Sequence, residues 1–163
     1  MTPGIELVPI DEDVLERLVA AAVSDAAPDE VTPPLTPGED WTPERLEWMR
    51  DLHRGARAGL DGPDRQATWA VVAHGTVVGA VRLKRTAQPA VLETGIWLTR
   101  SARGGGTGRS AIAAVLGRAQ ELGAREVRAD TSGDNAAALY VLQRLGFRTS
   151  PAGGRITAVR TLE

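Results

Sequence analysis

The sequence predicts a layered α/β domain, in which helices cover the faces of one β-sheet. Segments typical of strands alternate with segments of helical periodicity, in the order βα, α, ββ and then βαβαβ. A chain of 163 residues, 42% of them hydrophobic, is long enough to bury one core. Cysteine is absent, so disulfides, thiolate nucleophiles and cysteine-based metal sites are all excluded. We therefore expect a single domain spanning residues 1–163.

The first half of the chain contains two predicted helices and a predicted hairpin. Residues 4–10 read as a strand, and the helix that follows is capped by Asp11 or Asp13. Its apolar face comprises Val14, Leu15, Leu18, Val19 and Ala22. Residues 27–46 are rich in proline and glycine and are predicted as a loop leading into the second helix, which Thr42 caps. The apolar side of that helix comprises Leu46, Met49, Leu52 and Ala56. Residues 67–86 read as a hairpin around His74-Gly75.

The second half alternates strands and helices. Strands are predicted at 91–99, 125–131 and 155–162. The helix between the first two strands ends at Gly123, and a shorter helix beginning at Asn135 ends at Gly146. The apolar residues of the longer helix follow the i, i+3, i+4, i+7 spacing of one helical face. They are Ile112, Val115, Leu116, Ala119 and Leu122.

A glycine-rich stretch, RSARGGGTGRS, stands at the start of that longer helix. Each glycine costs backbone entropy on folding, so the stretch is either a slack loop or a place where a ligand approaches the backbone closely. The free N–H groups of a first helical turn and the helix dipole favour an anion there. The neighbouring guanidinium groups of Arg100, Arg103 and Arg109 add positive charge.

Two other phosphate-binding patterns have some similarity to this stretch. A nucleoside-triphosphate P-loop needs a lysine after its last glycine, whereas Gly108 is followed by Arg109. A dinucleotide fingerprint is matched by Gly106, Gly108 and Ala111, with Asp130 at the end of the next strand. The fingerprint should follow its strand at once and should lie early in a doubly wound sheet. Neither condition is met here, which weakens this alternative.

The stretch resembles the pyrophosphate loop of the GNAT superfamily of acyl-CoA N-acetyltransferases. Arg103, Gly106 and Gly108 match its R/Q-x-x-G-x-G/A pattern. The context resembles that family too: the strand ETGIWL precedes the loop, and the later helix opens with Asn135, carries Tyr140 and closes at LGF. The resemblance is specific over residues 90–148. It is nearest the branch with ribosomal-protein N-terminal alanine acetyltransferases and small-molecule acetyltransferases.

The resemblance implies a fold and a reaction. The fold is a single domain over residues 1–163 with a mixed, mostly antiparallel central sheet and helices on both faces, placed under α+β in some schemes. The reaction uses acetyl-CoA as co-substrate and no metal. A primary amine attacks the acetyl carbonyl directly and the coenzyme thiolate leaves. A chain without cysteine agrees with direct transfer, because no acyl-cysteine intermediate can form.

The resemblance also assigns residues to the coenzyme. Main-chain groups of Ile96 and Leu98 would pair with the pantetheine arm, and Asn135 would bind the pantetheine near the thioester. Tyr140 would sit beside the sulfur and protonate the leaving thiolate, although its hydroxyl could instead serve only packing. The diphosphate would be held by Arg103, Gly104, Gly105, Gly106, Thr107, Gly108, Arg109 and Ser110.

Candidate residues for the acceptor side are fewer. Glu93 could accept the proton of the amine, or it could form a cross-strand ion pair with Arg82 or Lys84. Acceptor specificity is expected in loops at 24–42 and 149–155. Within the first of these, Glu39, Asp40 and Trp41 suit a cationic amine, with a solvated loop end as the alternative. His53 and His74 lack cysteine partners and are poor evidence for a metal.

The expected activity is N-acetylation of a primary amine, with a small molecule as the acceptor. Acetylation of a protein N-terminus and a non-catalytic acyl-CoA-binding module remain alternatives. A net charge of −2 gives no support for nucleic-acid binding, and no apolar run is long enough to span a membrane. The acidic N-terminal region does not resemble a signal peptide, so a cytoplasmic location is expected. The sequence leaves a homodimer open.

Overall fold

A seven-stranded sheet forms the centre of the molecule in a computed structural model, which describes residues 4–163. The strands are β1 (Ile5–Pro9), β2 (Gln66–Ala73), β3 (Thr76–Arg85), β4 (Val91–Leu98), β5 (Glu126–Ser132), β6 (Arg148–Ala152) and β7 (Arg155–Thr161). Their order across the sheet is β1-β2-β3-β4-β5-β7-β6. Only β4 and β5 are parallel, and the other neighbours are antiparallel. The predicted mixed, mostly antiparallel sheet is therefore confirmed.

Helices cover both faces of this sheet. They are α1 (Glu12–Asp25), α2 (Pro28–Val31), α3 (Pro43–Gly55), α4 (Thr107–Glu121) and α5 (Ala136–Arg144), with short 3-10 turns at Ala56–Ala58 and Arg100–Ala102. One buried cluster joins the sheet to α4 and α5 and includes Val115 and Leu142. The other joins the opposite face to α1 and α3 and includes Leu18 and Met49. The layered arrangement expected from the alternation of elements is the one observed.

Local signals in the sequence set most element boundaries. Asp11 caps α1 by accepting a hydrogen bond from the Val14 N–H at 2.8 Å, and Thr42 accepts from Arg45 N–H at the start of α3. The β2–β3 turn lies at His74 and Gly75, both with positive φ, as the hairpin prediction required.

Three features differ from the prediction. The proline-rich stretch is not loop throughout, because α2 forms inside it with Pro28 near its start. Residues 148–152 form strand β6, so the expectation that 149–155 is a loop is wrong for most of its length. Its sequence, RTSPA, has no apolar alternation, because β6 is an edge strand with little burial. The buried residues of α3 include Arg45 and His53, whose polar side chains an apolar-face prediction leaves out.

Arg45 is a completely buried cation, and it organises the segment between α1 and α3. Its Nη1 donates to Asp29 at 2.7 Å and to Thr32, while Nε donates to the Thr36 hydroxyl at 3.1 Å. Nη2 donates to the carbonyls of Thr36 and Gly38. A buried guanidinium is tolerated only when it is paired and hydrogen-bonded in this way. The segment 29–38 is therefore wrapped around one side chain.

Membrane crossing by a helix finds no support in residues 4–163. Every helix that the structure describes there is too short or too polar for the purpose.

Candidate active site

The candidate site begins where β4 and β5 separate. The two strands pair only from Val91 to Glu93, opposite Glu126 to Arg128, although β4 continues to Leu98 and β5 to Ser132. Beyond that point β5 remains paired with β7, and β4 remains paired with β3. A gap therefore opens between the two central strands, with one edge of β4 free along it.

The direction of the main-chain groups along β4 follows from one hydrogen bond. The Thr99 N–H donates to the Val78 carbonyl on the β3 side at 2.8 Å. Because main-chain groups alternate sides along a strand, those of Trp97 also point towards β3 and those of Ile96 and Leu98 point into the gap. The two residues expected to pair with an extended ligand arm thus lie where such an arm could add to the strand.

The glycine stretch lies at the end of β4 and leads into α4. Gly104 and Gly106 have φ of +83° and +87°, a conformation that requires glycine or costs strain. Gly106 is the N-cap of α4 and supplies no side chain to cap it, so first-turn N–H groups remain open to a ligand. The Ser110 N–H is already used by the Gly106 carbonyl at 3.0 Å, whereas its buried hydroxyl has no partner in the described chain.

Backbone conformation does not explain the other two glycines. Neither Gly105 nor Gly108 has a positive φ. A Cβ at Gly105 would meet no atom within 4 Å, and one at Gly108 would meet only Leu98 Cδ1 at 3.6 Å, an ordinary contact. Packing within the described chain therefore permits a side chain at both positions. Glycine at both positions leaves the backbone uncovered on that side.

Arg103 is engaged with the protein itself. Its Nε and Nη2 donate to the Leu98 carbonyl at 3.2 and 2.9 Å, and Nη2 forms an ion pair with Glu30 at 2.8 Å. The guanidinium thus covers one of the gap-facing main-chain groups of β4. Arg109, in the first turn of α4, is half-buried.

Two predicted residues lie on the element that follows β5. Asn135 caps α5 by accepting from the Ala138 N–H at 3.1 Å, which leaves its amide NH2 available to donate elsewhere. Tyr140 is 60% exposed, and the Arg144 guanidinium stands 6.0 Å from its ring centre. Tyr140 is therefore a surface residue and not a core residue.

A cavity of about 220 Å³ lies on the α3 side of β3 and β4. Its lining includes three consecutive β4 residues, Gly95, Ile96 and Trp97, so it adjoins the gap. Its other lining residues are Glu30, Val31, Trp48, Met49, Leu52, His53, Thr68, Ala80, Val81 and Arg82. A larger cavity, of about 460 Å³, shares only His53 and Thr68 with it and extends towards Pro9, away from the gap. The smaller cavity is the one that an acceptor could use.

Glu93 forms one of the ion pairs left open by the sequence. Its Oε1 accepts from Arg82 Nη2 at 2.9 Å, while Lys84 is its cross-strand neighbour in the register. Arg82 lines the cavity and lies across Gly95, where a Cβ would come within 3.2 Å of Nε. The ion pair is observed, and the role of Glu93 as a base remains a prediction.

The three residues predicted to suit a cationic acceptor, Glu39, Asp40 and Trp41, lie outside the lining of this cavity. Glu39 and Asp40 are exposed and do not line the cavity, while the Trp41 indole donates to the Ala26 carbonyl at 3.1 Å and packs against the α1–α3 core. Their binding of an acceptor remains a prediction. The carboxylate that does line the cavity is Glu30, which the sequence analysis missed because it lies within the predicted loop.

His53 is a buried neutral base beside this cavity. Burial, and to a lesser extent the charge of Arg57, lowers its pKa to about 4. Its Nδ1 lies 3.0 Å from the Thr68 hydroxyl. At neutral pH the imidazole therefore adds hydrogen-bonding capacity to the cavity wall and no charge.

Comparison with known proteins identifies the fold and the family. Residues 5–148 match the acetyltransferase (GNAT) domain family. The chain belongs to the GNAT acetyltransferase family. No curated protein sequence matches it closely enough to add a more specific relative.

Several solved structures superimpose over nearly the whole chain. RimJ from Mycobacterium smegmatis, in complex with CoA-disulfide, is 17% identical with a TM-score of 0.76, covering 96% of this chain and 81% of its own. RimL, a ribosomal-protein alpha-N-acetyltransferase in complex with coenzyme A, is 18% identical with a TM-score of 0.75. The match covers 99% of this chain and 96% of the RimL chain. The microcin C7 self-immunity acetyltransferase MccE, in complex with acetyl-CoA and AMP, is 12% identical with a TM-score of 0.72. The match covers 97% of this chain and 92% of the MccE chain. At these identities the likeness is one of fold.

The state of His53 predicts how stability varies with pH. The folded-state pKa of about 4 lies below the usual 6.5, so the unfolded chain binds a proton first as pH falls. The contribution of His53 to the free energy of unfolding is fully present above pH 6.5. It is lost as the pH falls towards 4. Between pH 7 and 4.5 we expect a loss of about 2 kcal/mol that His53→Gln does not show. Urea unfolding of both proteins at the two pH values measures this, and equal losses would contradict the assignment.

Proposed function

We propose that this chain transfers an acetyl group from acetyl-CoA to a primary amine of a small molecule. The observation that carries the proposal is the pair of glycines, Gly105 and Gly108, whose missing side chains the protein's own conformation and packing do not require. They lie beside open N–H groups at the start of α4, an arrangement that suits a diphosphate. Membership of the GNAT family and the coenzyme-bound structures of RimJ, RimL and MccE support the same ligand.

In this proposal the pantetheine arm adds to the free edge of β4, along Ile96 and Leu98. The thioester then lies near the cavity that Gly95 and Trp97 line. The acceptor nitrogen bonds to the acetyl carbon, and the bond from that carbon to sulfur breaks. The amine proton passes to Glu93, directly or through water, and the Tyr140 hydroxyl gives a proton to the thiolate. In these steps the acetyl group passes directly to the amine and forms no covalent bond with the protein.

The size of the cavity supports a small acceptor. A volume of about 220 Å³ is below the range typical of sites for drug-sized ligands, and Trp48 and Trp97 give it an aromatic lining. RimL is a ribosomal-protein alpha-N-acetyltransferase, and its similarity keeps a protein N-terminus as a second candidate acceptor. A peptide could enter with its first residue in the same cavity.

Release of free thiol tests the proposed activity. Purified protein, acetyl-CoA and a panel of amino acids, polyamines, aminoglycosides and N-terminal peptides should give coenzyme A above the hydrolysis background with at least one acceptor. The class of acceptor that turns over decides between small molecules and protein N-termini. Tight binding of acetyl-CoA with no turnover across the panel would favour a non-catalytic acyl-CoA-binding module.

Gly108→Val should weaken coenzyme A binding at least about tenfold, because the added methyl groups fill space beside the first-turn N–H groups. Gly108 has no positive φ, and a Cβ there meets only Leu98, so the variant should fold. Gly117→Val is the matched control, since this exposed glycine lies on the same helix with no atom within 4 Å of its Cβ. Isothermal titration of both variants measures the difference. Equal affinities in two folded proteins would refute the diphosphate site.

Tyr140→Phe should lower kcat by at least about tenfold and leave coenzyme affinity nearly unchanged. The variant removes the proton donor and keeps the ring, and positioned acid catalysis is typically worth ~10²–10⁴ in rate, part of which water can replace. Since Tyr140 is 60% exposed, the folded state should be unaffected. A burst experiment establishes that chemistry limits turnover. Under that condition, a kcat within twofold of wild type would show that another group protonates the thiolate.

A further inference from the structure

Arg103 joins the glycine loop to the acceptor cavity. Its guanidinium bridges the Leu98 carbonyl, at the free edge of β4, and the carboxylate of Glu30, which lines the cavity. A second contact runs beside it: the Asp25 carboxylate accepts from both the main-chain N–H and the hydroxyl of Ser101. The chain around α2 is thereby attached to the loop that leads into the glycines.

Glu30 is ionised and firmly placed. Burial opposes its ionisation, but hydrogen bonds from the Ala27 N–H at 2.8 Å and from Arg103 outweigh burial and hold its pKa below the usual value. Two other cavity residues that can carry positive charge do not neutralise it. Arg82 is paired with Glu93, and His53 is neutral. Within residues 4–163, the ion pair that Glu30 makes is the one with Arg103.

We propose that Glu30 and the coenzyme diphosphate compete for Arg103, so that coenzyme binding frees a carboxylate at the wall of the acceptor cavity. The inference rests on the function proposed above. Arg103 directly precedes Gly104, and its long side chain is about two-fifths exposed, so it can turn towards a ligand at the glycines. A diphosphate offers the guanidinium more negative charge than one carboxylate and accepts its forked donors well.

The exchange would couple the two substrates. Once Arg103 turns to the diphosphate, Glu30 faces Trp48 and Trp97 without a compensating cation. A carboxylate and two indole rings attract a cationic group of the acceptor. The departure of Arg103 also exposes the Leu98 carbonyl to the pantetheine arm. By linkage, a cationic acceptor held by Glu30 would strengthen coenzyme binding by the same factor. Glu30 is therefore a positioning and specificity residue for the acceptor.

A charge-removing variant tests the competition without knowledge of the acceptor. Glu30→Gln keeps an oxygen to accept from the Ala27 N–H and loses only the charge. It should bind coenzyme A about two- to fivefold more tightly than wild type at low salt, the range of a half-exposed ion pair. The gain should shrink at high salt. Glu16→Gln is the matched control, because Glu16 pairs with Arg50 at 2.9 Å between α1 and α3 and does not line the cavity.

A double-mutant cycle shows whether Arg103 carries the effect. In an Arg103→Gln background, adding Glu30→Gln should change the dissociation constant of coenzyme A by less than about 1.5-fold. The proposal is overturned if Glu30→Gln weakens or does not alter coenzyme binding, if Glu16→Gln gives the same gain, or if the gain persists without Arg103. Absence of coenzyme binding by the wild type would overturn the proposed function and this inference together, whereas normal binding with no gain overturns the inference alone.

Discussion

The early end of pairing between β4 and β5 is the constraint on which the candidate site depends. Only three residues of β4 pair with β5, and β7 then keeps the rest of β5 in the sheet. The freed edge of β4 stays extended because β3 holds its other side and the Thr94 hydroxyl donates to the Arg82 carbonyl at 2.8 Å. Unpaired main-chain groups on a strand are a template for another extended, hydrogen-bonding chain. The glycine loop joins the end of β4 to the start of α4, so the freed strand edge ends beside a helix N-terminus.

The cavity wall that we propose for the acceptor depends on electrostatics, because two adjacent acidic residues pair with different arginines. Asp29 pairs with the buried Arg45, and Glu30 pairs with Arg103. The first pair fixes the segment after α1 against α3, because a buried guanidinium without its partners would be costly. The second pair is half-exposed and correspondingly weak. The fixed Asp29–Arg45 pair and the weaker Glu30–Arg103 pair are thus adjacent on α2. In our proposal, Glu30 can exchange its partner while Asp29 and Arg45 keep α2 in place.

The glycine loop, the helix that it opens and the Asn135 cap were predictable because their signals are local: each lies within a few residues of the backbone that it controls. Glu30 and Arg45 were not predictable, since their roles come from contacts 73 and 16 positions away along the chain, as Arg103 and Asp29 show. Hydrophobic periodicity finds a helix face by its apolar residues and so misses Arg45 and His53, which α3 buries. Edge strand β6 carries no alternation because neither of its faces is well buried. The roles of Tyr140 and Glu93 concern a ligand, and the fold alone leaves them as predictions.

A slack loop and a ligand site make different demands on the four glycines. A flexible loop could have glycine at every position. Flexibility gives no reason for the glycines to continue into a helix. Here Gly104 and Gly106 are explained by their positive φ, and Gly108 lies inside the first turn of α4, where alanine would stabilise the helix by up to about 1 kcal/mol. Nothing in the packing around Gly108 forbids that alanine. Glycine at this position therefore lowers the stability of the helix with no structural benefit, and the proposed approach of a diphosphate to the first-turn N–H groups accounts for its presence.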